Sequence, residues 1–535
     1  MNTKSAGDVR AELLARHEIA LLDVREEACH AEGHPLFAAN LPLSRIELEV
    51  YARVPRRATP IIVFDNGEGL ANRAAARLTE LGYHDVKLLE DGLQGWRNAG
   101  YEVFRDVNAP SKAFGELVES ERQTPSLSAA EVKRLIDKHA DIVIVDVRRF
   151  DEFQEMSIPT AISVPGAELV LRTSALVERA ETQVIVNCAG RTRSIIGTQS
   201  LINAGFPHST AALRNGTIGW KLAGQTLDHG QSRKFSEVDD KTRAAAAVVA
   251  RRVADRAGVK RIRIETVNEW IARGERTVYR FDVRTPEEYG AGHLQGFRNA
   301  PGGQLVQEID MFASVRGALI VLADDRGVRA DMTASWLSQM AWDVFVVDLP
   351  LNGAHPGREE FTERGEWQAP LPALPQLPED VLISVSRLKE WLAGDRESNL
   401  VVLDLAPSAQ YARRHIRGSW FAVRSLFAEA FQTTSDAKRY VLTSPDGIAA
   451  RFAWAEAKNL AGLPVHVLDG GTETWAAREE LTNADIKYAS RPIDRYKRPY
   501  EGTDAPASAM QAYLDWEAGL VEQLRRDGTH GFWVI

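Results

Sequence analysis

Hydrophobic positions along this chain fall into short runs rather than long stripes. Four of them end in an aspartate: EIALLDVR, DIVIVDVR, RTVYRFDVR and NLVVLDLA, closing on Asp23, Asp146, Asp282 and Asp404. Each run is short and rich in Val, Ile and Leu, which predicts a buried strand. Successive copies lie roughly 120–135 residues apart, a domain-sized period. Eleven positions after each aspartate comes a second signal: His34, Ser157, His293 and His415. A further apolar run then breaks into a turn: TPIIVFDNGEG, TQVIVNCAGRT, GALIVLADDRG and RYVLTSPDG. The turn opens at Asp65, Cys188, Asp324 and Ser444, 42 residues after the first aspartate in three copies and 40 in the fourth. Ala-rich helical sequence follows each turn. A closing strand and turn, VKLLEDGLQGW, TAALRNGTIGW, VFVVDLPLNGA and VHVLDGGTETW, brings Trp96, Trp220 and Trp475, with Ala354 in the third copy.

Strands alternating with helices predict four tandem α/β units, each a mainly parallel sheet flanked by helices, with a C-terminal helical tail. In such sheets ligands bind at the carboxyl ends of strands, where the turn at 65, 188, 324 and 444 lies. The expected units are residues 1–106, 122–228, 259–360 and 376–483. VNAPSKAFGELVESERQTP is polar and reads as the link between units one and two. Residues 229–258 carry KTRAAAAVVARRVADRAG, a helical linker, and LPALPQLPED is a Pro-rich spacer before unit four. The tail, 484–535, ends in SAMQAYLDWEAGLVEQLRRDG, whose apolar spacing predicts a packing helix.

Composition narrows the function. The 535 residues are 44% hydrophobic and 26% charged, as in ordinary globular protein. A net charge of −9 argues against nucleic acid or a membrane surface as partner, since both call for concentrated positive charge. No run of about 20 apolar residues is present, so no membrane-spanning helix is expected. Two cysteines, Cys29 and Cys188, exclude a disulfide scaffold and any Cys-based zinc site. The absence of a signal-peptide pattern leads to the expectation of a cytoplasmic protein, and nucleophilic cysteine chemistry is expected to need no metal or organic cofactor.

Cys188 ends a strand and begins the turn CAGRTRS. A thiol there faces the amides of Ala189, Gly190, Arg191, Thr192, Arg193 and Ser194 and the positive end of a helix. Arg191 and Arg193 add charge. All of these favour a thiolate, so a lowered Cys188 pKa is expected, with the same donors holding an anionic substrate. Arg193 follows Cys188 by five positions, a shorter loop than the Cys-x5-Arg of cysteine phosphatases, and fits one sulfur atom better than a phosphoryl group.

Each unit resembles a rhodanese homology domain. The resemblance rests on the strand ending Asp-Val-Arg, the Gly-His near Asn-x-Pro, the loop after a strand, best matched by Cys-Ala-Gly-Arg-Thr-Arg-Ser at 188–194, and the Gly-x-x-x-Trp stretch. The whole chain looks like the bacterial four-domain rhodanese-type sulfurtransferases. This resemblance implies a Cys188 persulfide, loaded from thiosulfate or a similar donor and discharged to cyanide or a thiol. The loop matches neither the Cys-Gly-x-Gly of the mercaptopyruvate branch nor the Cys-Arg-Lys-Gly of vertebrate-type rhodaneses, which leaves carbon-bound persulfides open as donors. An alternative is a sulfur carrier or scaffold receiving persulfide sulfur from a partner protein.

The matching Asp146 and Arg148 are expected to form an ion pair supporting the loop. Asp65, Asp324 and Ser444 cannot carry sulfane sulfur, so their units are expected to be inactive, with Asp324 either capping the helix or placing its carboxylate where a persulfide would sit. Cys29 is read as an incidental thiol, the recurrent histidines as fold elements, and the tryptophans as core anchors. Arg172 is a candidate for the pocket rim. Two-domain rhodaneses place the Cys in their second domain, so the units are expected to pack as pairs one–two and three–four.

Overall fold

Each aspartate-ending run forms a strand in a five-stranded parallel sheet, between the strand that leads into the turn and a two-residue edge strand. The computed structural model describes residues 2–349, 360–394, 399–502 and 504–535. Four such sheets have the same strand order. In the second, the order across the sheet is Ser126–Leu127, Thr210–Leu213, Gln183–Asn187, Ile142–Asp146 and Ile162–Ser163. The central strands are apolar without alternation because helices cover both faces. Asp146 pairs in register with Asn187, so Cys188 leaves the sheet beside the carboxyl end of the aspartate strand.

The position eleven residues after each aspartate clasps the far end of its unit. His34, Ser157, His293 and His415 form antiparallel bridges to Phe104, Asp228, Glu363 and Thr482. The bonds are backbone–backbone, for example Ser157 N–H to Asp228 O at 2.8 Å, which explains why serine replaces histidine in one copy. Trp96, Trp220 and Trp475 are buried anchors whose indole N–H groups reach the carbonyls of Glu102, Thr226 and Glu480. Ala354, their counterpart in the third copy, lies outside the described residues. Residues 366–378 run without helix or strand, as their prolines dictate.

The arrangement of the units differs from the expected pairing. Unit three is central. It pairs backbone with unit one through Ile19 and Arg316, and Arg53 of unit one donates to Ser314 Oγ at 2.9 Å. Against unit two it sets Gly302 and Gly303 on Gly166 and Ala167, and Trp336 Nε1 donates to Ser200 Oγ at 2.9 Å. Unit four rests on unit one, with Arg424 on Glu47 at 2.8 Å and Ser425 Oγ on Glu26 at 2.6 Å. Part of this contact is made by polar side chains that hydropathy patterning assigns to solvent, such as Arg53, Arg424, Glu47 and Glu26, beside an apolar cluster shared by units one, two and three.

The segment read as a polar link is the helix Ala109–Arg122, and it is interior. Ala113, Phe114 and Val118 are buried in a core shared with units one and three and with Leu520, Leu524 and Phe532 of the tail. Three of its polar residues are buried too, because each has a partner: Lys112 holds Asp106 at 2.5 Å, Glu116 holds Arg191, and Ser111 donates to Gln307 O. Phe114 meets Trp336 and Phe532 edge-on at 6.0 and 5.5 Å between centroids. Truncating it leaves a cavity at that junction. Phe114→Ala is expected to cost about 3–5 kcal/mol, measured as a lower denaturation midpoint at unchanged slope.

Candidate active site

Cys188 is 1% exposed and sits at the mouth of the second sheet. The turn beneath it is fixed by the closing helix Gly216–Leu222. Thr217 N–H donates to Cys188 O at 2.9 Å and Ile218 N–H to Ala189 O at 3.0 Å. Gly216 makes this approach possible. Its φ is +52°, and a Cβ there would lie 2.3 Å from Cys188 O. With the loop carbonyls drawn outward, the Ser194 amide faces the sulfur.

The neighbouring units show what those amides do. In unit three the Asp324 carboxylate accepts from four of them: Arg326 N–H at 3.1 Å, Gly327 N–H, Arg329 N–H at 2.8 Å and Ala330 N–H at 3.1 Å. In unit one Asp65 accepts from Gly67 and Ala71, and in unit four Ser444 Oγ accepts from Ala450. Counted from the first loop residue, the four donors of unit three correspond to Gly190, Arg191, Arg193 and Ser194. The cradle is therefore an anion site by construction, and the inactive units fill it with their own oxygen.

Cys188 Sγ donates to Ser194 Oγ at 3.4 Å, and Ser194 Oγ donates to Arg191 O at 2.8 Å. The expected lowered thiol pKa is not what this geometry produces. Burial pushes the Cys188 pKa above its ordinary value, and the Arg193 charge and Ser194 only partly offset it. Arg193 is diverted: its two Nη groups grip Glu152 at 2.8 and 2.9 Å. Burial disfavours Glu152 as an anion, yet Arg193 draws its pKa down to about 2. Arg191 points away from the sulfur to Glu116 at 2.7 Å, Asn215 at 3.1 Å and Glu119. Thr192 packs on Gly115, where a Cβ would lie 2.8 Å from its Cγ2. The loop thus brings Arg193 and Ser194 to the thiol, and its amides with them, but not the Arg191 side chain.

Behind the loop, Arg148 and Asp146 form a buried bidentate pair at 2.9 and 2.7 Å. Arg148 also donates to Met156 O at 2.6 Å. Asn187, immediately before the cysteine, donates to Asp146 Oδ2 at 2.7 Å, which ties the pair to the strand end. The same aspartate–arginine pairs recur at Asp23–Arg25 and Asp282–Arg284. Unit four has Ala406 in place of arginine, and burial lifts Asp404 to about 7. Arg172 does not line the pocket rim. It pairs with Glu168 at 3.0 Å and covers the Phe235 ring. Cys29 is partly exposed, in the helix Glu27–Glu32 of unit one.

Sequence reasoning missed Glu152, Glu116 and the tail residues Tyr513 and Glu517. Glu152 left a trace: it stands six residues after Asp146 and pairs with Arg193, as Glu288 stands six after Asp282 and pairs with Arg329. Beside Arg193 opens a cleft of about 850 Å³, walled by Arg149, Glu155, Arg413 of unit four, and Lys497, Tyr500 and Gly502 of the tail.

The rhodanese-like domain model matches residues 5–99, 128–223 and 384–478. Residues 259–360 share the strand order of these stretches without a match of their own. A crystal structure of thiosulfate sulfurtransferase from Pseudomonas aeruginosa is similar over 100% of both chains, with 60% identity and a TM-score of 0.96. The BH2092 protein from Bacillus halodurans is 22% identical over 22% of this chain and 85% of its own, with a TM-score of 0.18. No curated protein matches the chain.

Two measurements check the electrostatics. The thiolate absorbance near 240 nm that depends on Cys188 is expected to remain largely undeveloped at about pH 8. Glu152→Gln releases Arg193 from its partner, so the Cys188 pKa is expected to fall and alkylation at neutral pH to quicken.

Proposed function

This chain belongs to the rhodanese-like family, and we propose from that premise that it is a sulfurtransferase carrying sulfane sulfur on Cys188. The observation that supports this most directly is the amide cradle. Three loops close it around an oxygen of their own, and the fourth offers a thiol at the same place. A persulfide adds one sulfur beyond Sγ, toward amides that in unit three hold a carboxylate.

The cycle is a double displacement. The Cys188 thiolate attacks the outer sulfur of thiosulfate. A Cys–S bond forms, the S–S bond of thiosulfate breaks, and sulfite leaves with the bonding pair. An acceptor thiolate or cyanide then attacks the terminal sulfur and returns the Cys188 thiolate, as a new persulfide or thiocyanate departs. No external oxidant or reductant enters. The loop amides and Arg193 steady the charge on donor and persulfide. Arg148 and Asp146 hold Asn187 and thereby the sulfur's position. Ala189, Gly190, Arg191 and Thr192 contribute backbone, with the Arg191 side chain bracing the loop against the helix Ala109–Arg122.

The cleft beside Arg193 favours a second reading as well. Its volume exceeds what thiosulfate fills, which suits a bulkier persulfide donor or a partner protein's loop.

Intact-protein mass after incubation with thiosulfate tests the cycle. Wild type is expected to gain one sulfur, about 32 Da by atomic mass, and to lose it to cyanide, while Cys188→Ala gains nothing. No adduct on folded wild type overturns thiosulfate as donor, and an adduct appearing only with a protein donor favours the carrier. Arg193→Ala is expected to lower the loading rate by about 10²-fold, with Arg193→Lys between it and wild type.

A further inference from the structure

The catalytic loop is not exposed to solvent on its outer side. The tail helix Ala507–Ala518 lies over it. A Cβ on Gly190 would stand 3.4 Å from Tyr513 Cε1 and 3.6 Å from Glu517 Oε2. Tyr513 Oη donates to Glu517 Oε1 at 2.7 Å, and both side chains are buried. Glu517 Oε2 has no hydrogen-bond partner. The helix is moored through Lys112, whose ammonium sits 5.7, 5.2 and 5.5 Å from the rings of Tyr500, Tyr513 and Trp516. Met510, Tyr513 and Leu514 pack on Ile218 of the helix that fixes the loop carbonyls. So the loop that carries the thiol is covered at Gly190 by a segment outside the four repeated units.

We propose that the tail helix is a cover of the catalytic unit, with Tyr513 and Glu517 as positioning residues that hold Gly190 and Arg191, and that it lifts to let sulfur in and out. The proposal rests on the assignment of Cys188 as the sulfur carrier. Glu517 faces Lys112 and Glu116 of the helix Ala109–Arg122, Arg191 of the loop, and Tyr513 of its own helix; Tyr500 and Asp106 complete the charged surroundings through Tyr513. Burial, reinforced by Glu116, lifts Glu517 to about 8, while Lys112, Tyr513 and Arg191 pull the other way. With the tail lifted, Glu517 returns toward the ordinary carboxyl range. The lifted form therefore holds fewer protons between about pH 4.5 and 8, and rising pH favours lifting by up to tenfold per unit in that window, levelling off above it. Lifting also hydrates Cys188 and relieves the burial that keeps its thiol protonated.

The experiment follows the rate of Cys188 alkylation by iodoacetamide from about pH 6 to 8 in the full chain, with Cys29→Ser in every background. Thiol ionisation alone gives a tenfold rise per pH unit. Lifting adds to it, so the parent is expected to approach a hundredfold per unit, and Glu517→Gln to fall back to tenfold. Amide exchange of residues 507–518, corrected for its intrinsic pH dependence, is expected to rise with pH in the parent and stay level in Glu517→Gln. Equal slopes in the two proteins overturn the proposal. Should Glu517→Gln fail to fold, Tyr513→Phe carries the test. It removes the hydrogen bond that lowers Glu517, so the steep region moves to higher pH, and an unmoved profile overturns the proposal. Because alkylation needs no sulfur donor, a steep parent slope without a 32 Da adduct overturns thiosulfate as donor and leaves the cover standing; an adduct with equal slopes does the reverse.

Discussion

Backbone amides at the head of a helix have no acceptor within the helix, and in each unit one or more of them face the side chain that opens the turn at the end of a strand. What stands at that point decides the character of the unit. Asp324 brings a carboxyl group and is met by four donors, while burial and the neighbouring Asp325 raise its pKa. Asp65 is met by two, and Ser444 offers a neutral hydroxyl to one. Cys188 brings a larger atom and a weaker hydrogen-bond donor. The rest of the molecule follows from keeping that atom in register: Asn187, Asp146 and Arg148 behind it, Gly216 beneath it and Gly190 above it.

Charge near the sulfur is balanced rather than massed. Each arginine of the loop has a glutamate of its own, so burial outweighs attraction and the thiol keeps its proton. The inactive units share in this balance. Glu168, behind the catalytic sheet, pairs with Arg172 of its own unit and with Arg329 of unit three. Removing Glu168 itself takes a shared acceptor from two buried arginines at once, whereas loss of either arginine leaves Glu168 paired with the other. The third unit is thus fastened to the second by an arginine held in the same loop position as Arg193.

Much of the fold was legible in the chain itself. Strands ending in aspartate, a fixed interval to the turn and a closing tryptophan are local features, set by burial within one unit. The order of packing between units was not legible. It depends on Arg53, Arg424, Glu47 and Glu168, residues of types that normally face water. The helix Ala109–Arg122 misled for the same reason, since Lys112 and Glu116 look solvated until their partners are in place. Within the site, Cys188 and the loop could be named from spacing alone. The thiol's protonation state was missed because Arg191 and Arg193 count as free charges in a sequence, while in the structure Glu116 and Glu152 have claimed them.

Asp65 and Asp324 also settle a matter of stoichiometry. A chain with four open cradles would hold small anions at four places, three of them unable to do chemistry. Such sites would act as a sink, drawing down a scarce donor and releasing it unchanged. A carboxylate built into the loop is a ligand at unlimited local concentration, and no dissolved anion displaces it. By occupying their own cradles, units one and three take two of the four places out of that competition, and unit four meets its own cradle with the Ser444 hydroxyl.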